Sequence, residues 1–131
     1  METKFNSQIC TTREQSERLL ALGLKKETAD MYYDNKLEGE LPRLMPHTSE
    51  IDYFQLWDRI TPAWSLHRMI ELIPESVTQE IPYFTKDGNV ELVNSDGIIT
   101  KAFGGENLYD ALLDFFRWLI KEGYFNKEYL V

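Results

Sequence analysis

Hydrophobic positions change their period several times along this chain, and each change predicts an element. Between Thr12 and Leu22 the residues Leu19, Leu20 and Leu22 form one apolar side. Thr11 with Glu14, and Thr12 with Gln15, have the spacing of a helix capping box. The pattern predicts a helix over about 12–22, ended by Gly23, with Leu24 folding back on the last turn. A brief helical turn capped by Thr28 is expected at Thr28–Tyr32. In 62–73, Leu66, Met69, Ile70 and Ile73 recur every three or four residues. Thr61 stands where an N-cap belongs, Pro62 where a missing N–H costs nothing, and Pro74 where a helix must stop. Beyond Pro74 the period drops to two. The runs IPYFT (81–85), NVELVN (89–94) and IITKAF (98–103) are separated by Lys86-Asp87-Gly88 and Ser95-Asp96-Gly97. Asp-Gly between alternating runs is a hairpin signal, so a three-stranded antiparallel meander is expected over about 81–103. In its middle strand Val90, Leu92 and Asn94 face one way, Glu91 and Val93 the other. Asn107 then caps a long helix to about Glu122, with Leu108, Ala111, Leu112, Phe115, Phe116, Leu119 and Ile120 on its apolar stripe. The tail holds Tyr124, Phe125, Tyr129 and Leu130 and is expected to pack.

The fold class that follows is α+β: a meander at about 81–103 packed by helices at about 62–73 and 107–122, with an N-terminal helix at about 12–22. Residues 34–60 break the regularity. Gly39, Pro42 and Pro46 interrupt them, yet Leu37, Leu41, Leu44, Met45, Ile51, Tyr53, Phe54, Leu56, Trp57 and Ile60 are too apolar for a disordered tract. An ordered, largely irregular excursion is expected there, with a short helix or strand inside Glu50–Trp57. No repeat or linker divides the chain. Acidic and basic residues are distributed alike in 1–65 (11 and 8) and 66–131 (11 and 6), so a single domain spanning 1–131 is expected.

Composition narrows the function classes. With 131 residues, 43% of them hydrophobic, a core is available without metals or disulfides. Fourteen Lys and Arg against 22 Asp and Glu give a net charge of −8, which disfavours nucleic acid and anionic membranes as partners. One cysteine excludes an intramolecular disulfide and a cysteine-built zinc site. No apolar run reaches the roughly 18 residues of a membrane span. The opening METKFNSQICTTREQ lacks the apolar segment of a signal peptide, so a cytoplasmic location is expected.

Candidate chemistry is sparse. His67 and Glu71 share a helix face, but two ligands make no metal site, and a surface pair is the simpler reading. Ser65 and His67, two apart on a helix, point away from each other, and no G-x-S-x-G elbow surrounds Ser65. Cys10 has no partner fixed by spacing and reads as buried and inert. Gly104-Gly105 precedes a helix without a phosphate-loop motif, and Glu106 repels anions. No cofactor, metal or catalytic residue is therefore assigned. The crowding of Tyr32, Tyr33, Tyr53, Phe54, Trp57 and Trp64 into one third of the chain is the remaining signal, because Trp and Tyr anchor interfaces and also fill cores. Tyr53, Trp57, Trp64 and His67 are the candidate partner surface, with core packing the stronger reading for each of the three aromatics and most of all for Trp64.

Three stretches together resemble a known group: TTREQSERLLALGLKKETADMYY (11–33), PAWSLHRMIELIP (62–74) and WLIKEGYFNKEYL (118–130). They are similar to small proteins of Bacteroidetes genomes found near prophage and mobile-element genes, a group with no assigned activity. The resemblance implies a bacterial, intracellular, accessory role. In order of elements, 81–122 is also similar to HicB-type antitoxins, which pair a ββα half-domain with a toxin. The glycine-rich strand region of that family is replaced here by NVELVNSDGIITKAF, and no helix-turn-helix pattern follows. The function expected is a non-catalytic accessory or protein-interaction module of a bacterial mobile element, meeting a protein partner or itself. The alternatives are an antitoxin-like inhibitor of a basic partner and a small enzyme with a loop-built site.

Overall fold

The computed structural model describes residues 8–36, 41–45 and 59–131. Among these, three α-helices and two three-stranded antiparallel sheets make an α+β fold. Helix α1 (Arg13–Ala21) begins on the expected capping box. The Thr12 side chain accepts from the Gln15 N–H at 3.1 Å, and the Gln15 side chain accepts from the Thr12 N–H at 3.0 Å. Thr11 takes another role: its Oγ1 meets Ser16 Oγ at 2.8 Å and accepts from the Trp64 N–H at 3.0 Å.

The first sheet departs from the sequence expectation. A 3-10 turn at Lys26–Thr28 leads directly into strand β1 (Met31–Asp34), where a second helical turn at Thr28–Tyr32 was expected. Strands β2 (Arg43–Leu44) and β3 (Ile60–Ala63) flank β1 in the order β2-β1-β3. Pro62 therefore lies in a strand, opposite Tyr32, and not in the first turn of a helix. An edge strand tolerates a residue with no N–H to give, and β3 is an edge. The helix that follows, α2 (Leu66–Leu72), starts four residues later than its apolar period suggested. Its N-cap is Ser65, whose Oγ accepts from the Arg68 N–H at 3.2 Å, and not Thr61. Asp30, just before β1, receives the Ser65 N–H at 2.8 Å and the Ser65 hydroxyl at 2.5 Å, which locks the cap to the sheet.

The meander forms as expected. Strands β4 (Ile81–Phe84), β5 (Val90–Val93) and β6 (Ile99–Phe103) pair in sequence order, with a bulge in β6 where Thr100 is the extra residue between the partners of Leu92 and Val93. Gly88 closes the first hairpin at φ 84° beside the start of the last helix, where an added Cβ would lie 3.1 Å from the Leu108 nitrogen. That helix, α3 (Leu108–Glu122), is capped by Asn107 and ended by Gly123 in the left-handed region. It lies against β5 and β6. Val90, Leu92 and Phe103 of the sheet and Ala111, Leu112, Phe115, Phe116 and Leu119 of α3 belong to one buried cluster. Leu19, Trp64, Met69 and Leu72 join the same cluster, so α1, the end of β3 and α2 share a core with the meander. The tail packs: Phe125 is buried, Leu130 bridges Leu24, and the Lys25 N–H reaches the Tyr129 carbonyl at 2.8 Å. None of the helices described is long and apolar enough to cross a membrane.

Candidate interaction surface

The residues singled out from the sequence fall in three different environments. Trp64 has no exposed surface. Its indole N–H donates to Thr28 Oγ1 at 3.0 Å, and its carbonyl receives the Thr11 N–H at 2.8 Å. It is a pillar of the core and offers a partner nothing, so the partner-facing role is corrected to a structural one. His67 is the opposite case, 85% exposed, with Nε2 3.4 Å from Glu71 on the same helix face. Tyr53, Trp57 and the expected Glu50–Trp57 element lie outside the described residues.

The nucleophile candidates are occupied. Ser65 Oγ is held between Asp30 and the Arg68 N–H, and no hydrogen bond joins it to His67. Cys10 is buried with Sγ 3.5 Å from Tyr33 Oη. Burial is the main cause that pushes the thiol pKa up, against the opposing effect of the Tyr33 hydrogen bond. Burial likewise raises the phenols of Tyr33 and Tyr109, the latter to about 12. Among the described residues no three His, Cys, Asp or Glu side chains converge as a metal site. A groove of about 590 Å³ between α1 and α3 is lined by Arg18 and Arg117 but also by Glu106, Asp110 and Asp114, so charges of both signs share it.

The surface that stands out is the outer face of the meander. Strand alternation turns Ile81 and Tyr83 of β4 away from α3, together with Glu91 and Val93 of β5. Cross-strand register places these residues side by side. Ile81 faces Val93, Tyr83 faces Glu91, Val93 faces Ile99, and Glu91 faces Ala102 on its other side. Ile81, Tyr83, Ile98 and Ile99 are 49%, 54%, 59% and 53% exposed. None of them belongs to the core cluster or to the hydrophobics packed against it. Four such side chains amount to an apolar patch on the order of 400 Å², a size at which a patch on a monomer is often functional. The sheet beneath is held by two hairpins and by α3, so the patch is displayed on a rigid support.

The sequence carried a signal for this surface that composition alone hides. Alternation along β5 puts Glu91 and Val93 on the side opposite Val90 and Leu92, and their cross-strand partners in β4 and β6 share that side. What the sequence does not announce is the first sheet, against which Trp64 is buried, and that among the described residues the hydrophobic core does not take in the meander's outer face. No protein family, no curated protein and no solved structure matches this chain.

Proposed function

We propose that this protein is a non-catalytic protein-interaction module, an accessory protein of a bacterial mobile element, and that it meets its partner through the outer face of the meander. The observation that carries this reading is the juxtaposition of Ile81, Tyr83, Val93 and Ile99 on a sheet face that lies outside the core formed by the described residues. Leaving that much apolar surface in water is unfavourable, at roughly 25 cal/mol for each Å², and a partner recovers it. The engagement of Ser65 by Asp30 and the burial of Cys10 support the non-catalytic side of the reading. The antitoxin-like reading is supported by the strand-strand-helix order of β5, β6 and α3 and by the net charge of −8.

The test is a photo-crosslinking amino acid placed at Tyr83 in cells that naturally express the protein, with Lys121 on the far side of α3 as the control position. A discrete adduct is expected from position 83 and not from 121, lost when Ile81 and Ile99 are both changed to Thr. No adduct from 83, or equal adducts from both positions, would refute the reading.

A further inference from the structure

The chemistry of the partner can be taken one step further, on the footing that the meander face is the interaction surface. Glu91 stands at the middle of that face, flanked across the strands by Tyr83 and Ala102 and next but one along its strand to Val93. Among the described residues its carboxylate makes no hydrogen bond or ion pair. The rim is acidic as well. Residues 80–103 carry Glu80, Asp87, Glu91 and Asp96 against Lys86 and Lys101. Lys101 is spent on the opposite side of the sheet, where its Nζ lies 4.8 Å over the Trp118 ring of α3. Lys86 sits in the turn between β4 and β5, at the edge of the patch.

A carboxylate in the centre of an apolar patch sets a condition on whatever covers it. Covering it with a purely apolar surface strips water from the charge and returns nothing, a large penalty. A second copy docked face to face about a two-fold axis through the centre of the patch brings the two Glu91 carboxylates together, and like charges at an interface repel. Anionic lipid is repelled for the same reason. A cation delivered between apolar side chains satisfies both features at once, and the protein's overall charge of −8 would draw it in. The inner face of the same sheet shows what shape fits: at β5 and β6 it is covered by one amphipathic helix, α3. We infer that the outer face of the meander binds an amphipathic helix of a partner protein whose apolar stripe carries a lysine or arginine at its centre, placed to pair with Glu91.

The experiment uses the full chain and three capped helical peptides. The first has leucines on one face with a single arginine in their midst. The second has glutamate in place of that arginine, and the third has serine in place of the leucines. Binding is read by chemical-shift titration of the meander amides at low salt. The arginine peptide is expected to bind at the β4–β6 face about tenfold tighter than the glutamate peptide, and the serine peptide not measurably. In Glu91→Gln the preference is expected to disappear, and in Glu91→Lys to reverse. Glu91 lies outside the core, and the amide spectrum of each variant reports that the fold is kept. Equal binding of the first two peptides overturns the inference, and so does an unreversed order in Glu91→Lys. Binding of the serine peptide as tight as that of the arginine peptide, no binding of the arginine peptide at millimolar concentration, or self-association abolished by Tyr83→Thr would overturn it as well. An adduct from position 83 whose cross-linked segment has no basic residue overturns this inference alone, whereas the absence of any adduct removes the interaction-surface reading beneath it.

Discussion

At the scale of single residues, buried polar groups explain most of what the sequence left open. Trp64 is the clearest example, because its indole N–H, amide and carbonyl all have partners inside the protein. Trp64→Ala is therefore expected to cost about 3–5 kcal/mol. Thr28→Val, which removes the indole's acceptor and also the hydroxyl's own donation to the Lys25 carbonyl at 2.6 Å, should cost roughly 1–3 kcal/mol. Urea unfolding checks both. An indole looks the same in a sequence whether it serves a core or an interface; the hydroxyl that receives its N–H lies 36 residues away, and that distance is why the choice was open. The Cys10 thiol, buried and raised in pKa, should resist a thiol reagent in the native protein and react fully once guanidinium unfolds it. Asp34 makes the strongest ion pair described. Arg59 Nη2 is 2.6 Å from its Oδ2, and Nε is 3.1 Å from both oxygens. That hydrogen-bonded guanidinium, helped by the Lys36 N–H, holds the carboxyl down to about 2 from an ordinary 3.8. A depressed carboxyl contributes stability above its unfolded pKa and loses it as pH falls through the folded one. The urea midpoint should thus fall between about pH 4 and pH 2, and Arg59→Gln should flatten that part of the profile.

At the scale of elements, what could be read in advance followed from how local the deciding forces were. Helix α3 and the meander are specified by neighbours in sequence: the Asn107 cap, the Asp-Gly turns and the alternation of β5. Their boundaries match within a residue or two. Strands β1 and β3 are specified by each other, across about 30 residues, and no local period announces them. Pro62 misled for the same reason, since it suits a helix start and an edge strand equally. The apolar stripe of α3 predicts a large cost for its truncation, and Leu112→Ala should lose about 2–5 kcal/mol in a urea melt. The turn before β4 predicts a gain. Val77 and Glu80 exchange backbone hydrogen bonds at 2.8 and 2.9 Å around Thr78 and Gln79, which sit at φ 48° and 70°. Left-handed geometry is costly for a β-branched residue and natural for Asn-Gly. Thr78→Asn combined with Gln79→Gly should raise stability by about 1 kcal/mol, read as a higher unfolding midpoint.

At the scale of the whole molecule, the account turns on an asymmetry between the two faces of the meander. One face is covered at β5 and β6 by α3, with Phe103, Phe115 and Trp118 in ring contact at 5.0–6.3 Å between centroids. The other presents Ile81, Tyr83, Val93 and Ile99 around an unpaired carboxylate. Both faces are apolar in sequence, and periodicity alone does not say which one a helix will cover, or whether anything covers the second. The most direct test of this asymmetry is the urea unfolding of a triple variant, Ile81→Thr, Tyr83→Thr and Ile99→Thr, which places strand-compatible β-branched residues at all three positions while removing the apolar surface. If the outer face is free, the variant loses no more than about 1.5 kcal/mol, the sum of modest cross-strand contributions. A loss above about 4 kcal/mol, comparable to truncating the core, would mean that the face is buried within the protein's own fold and would contradict the account.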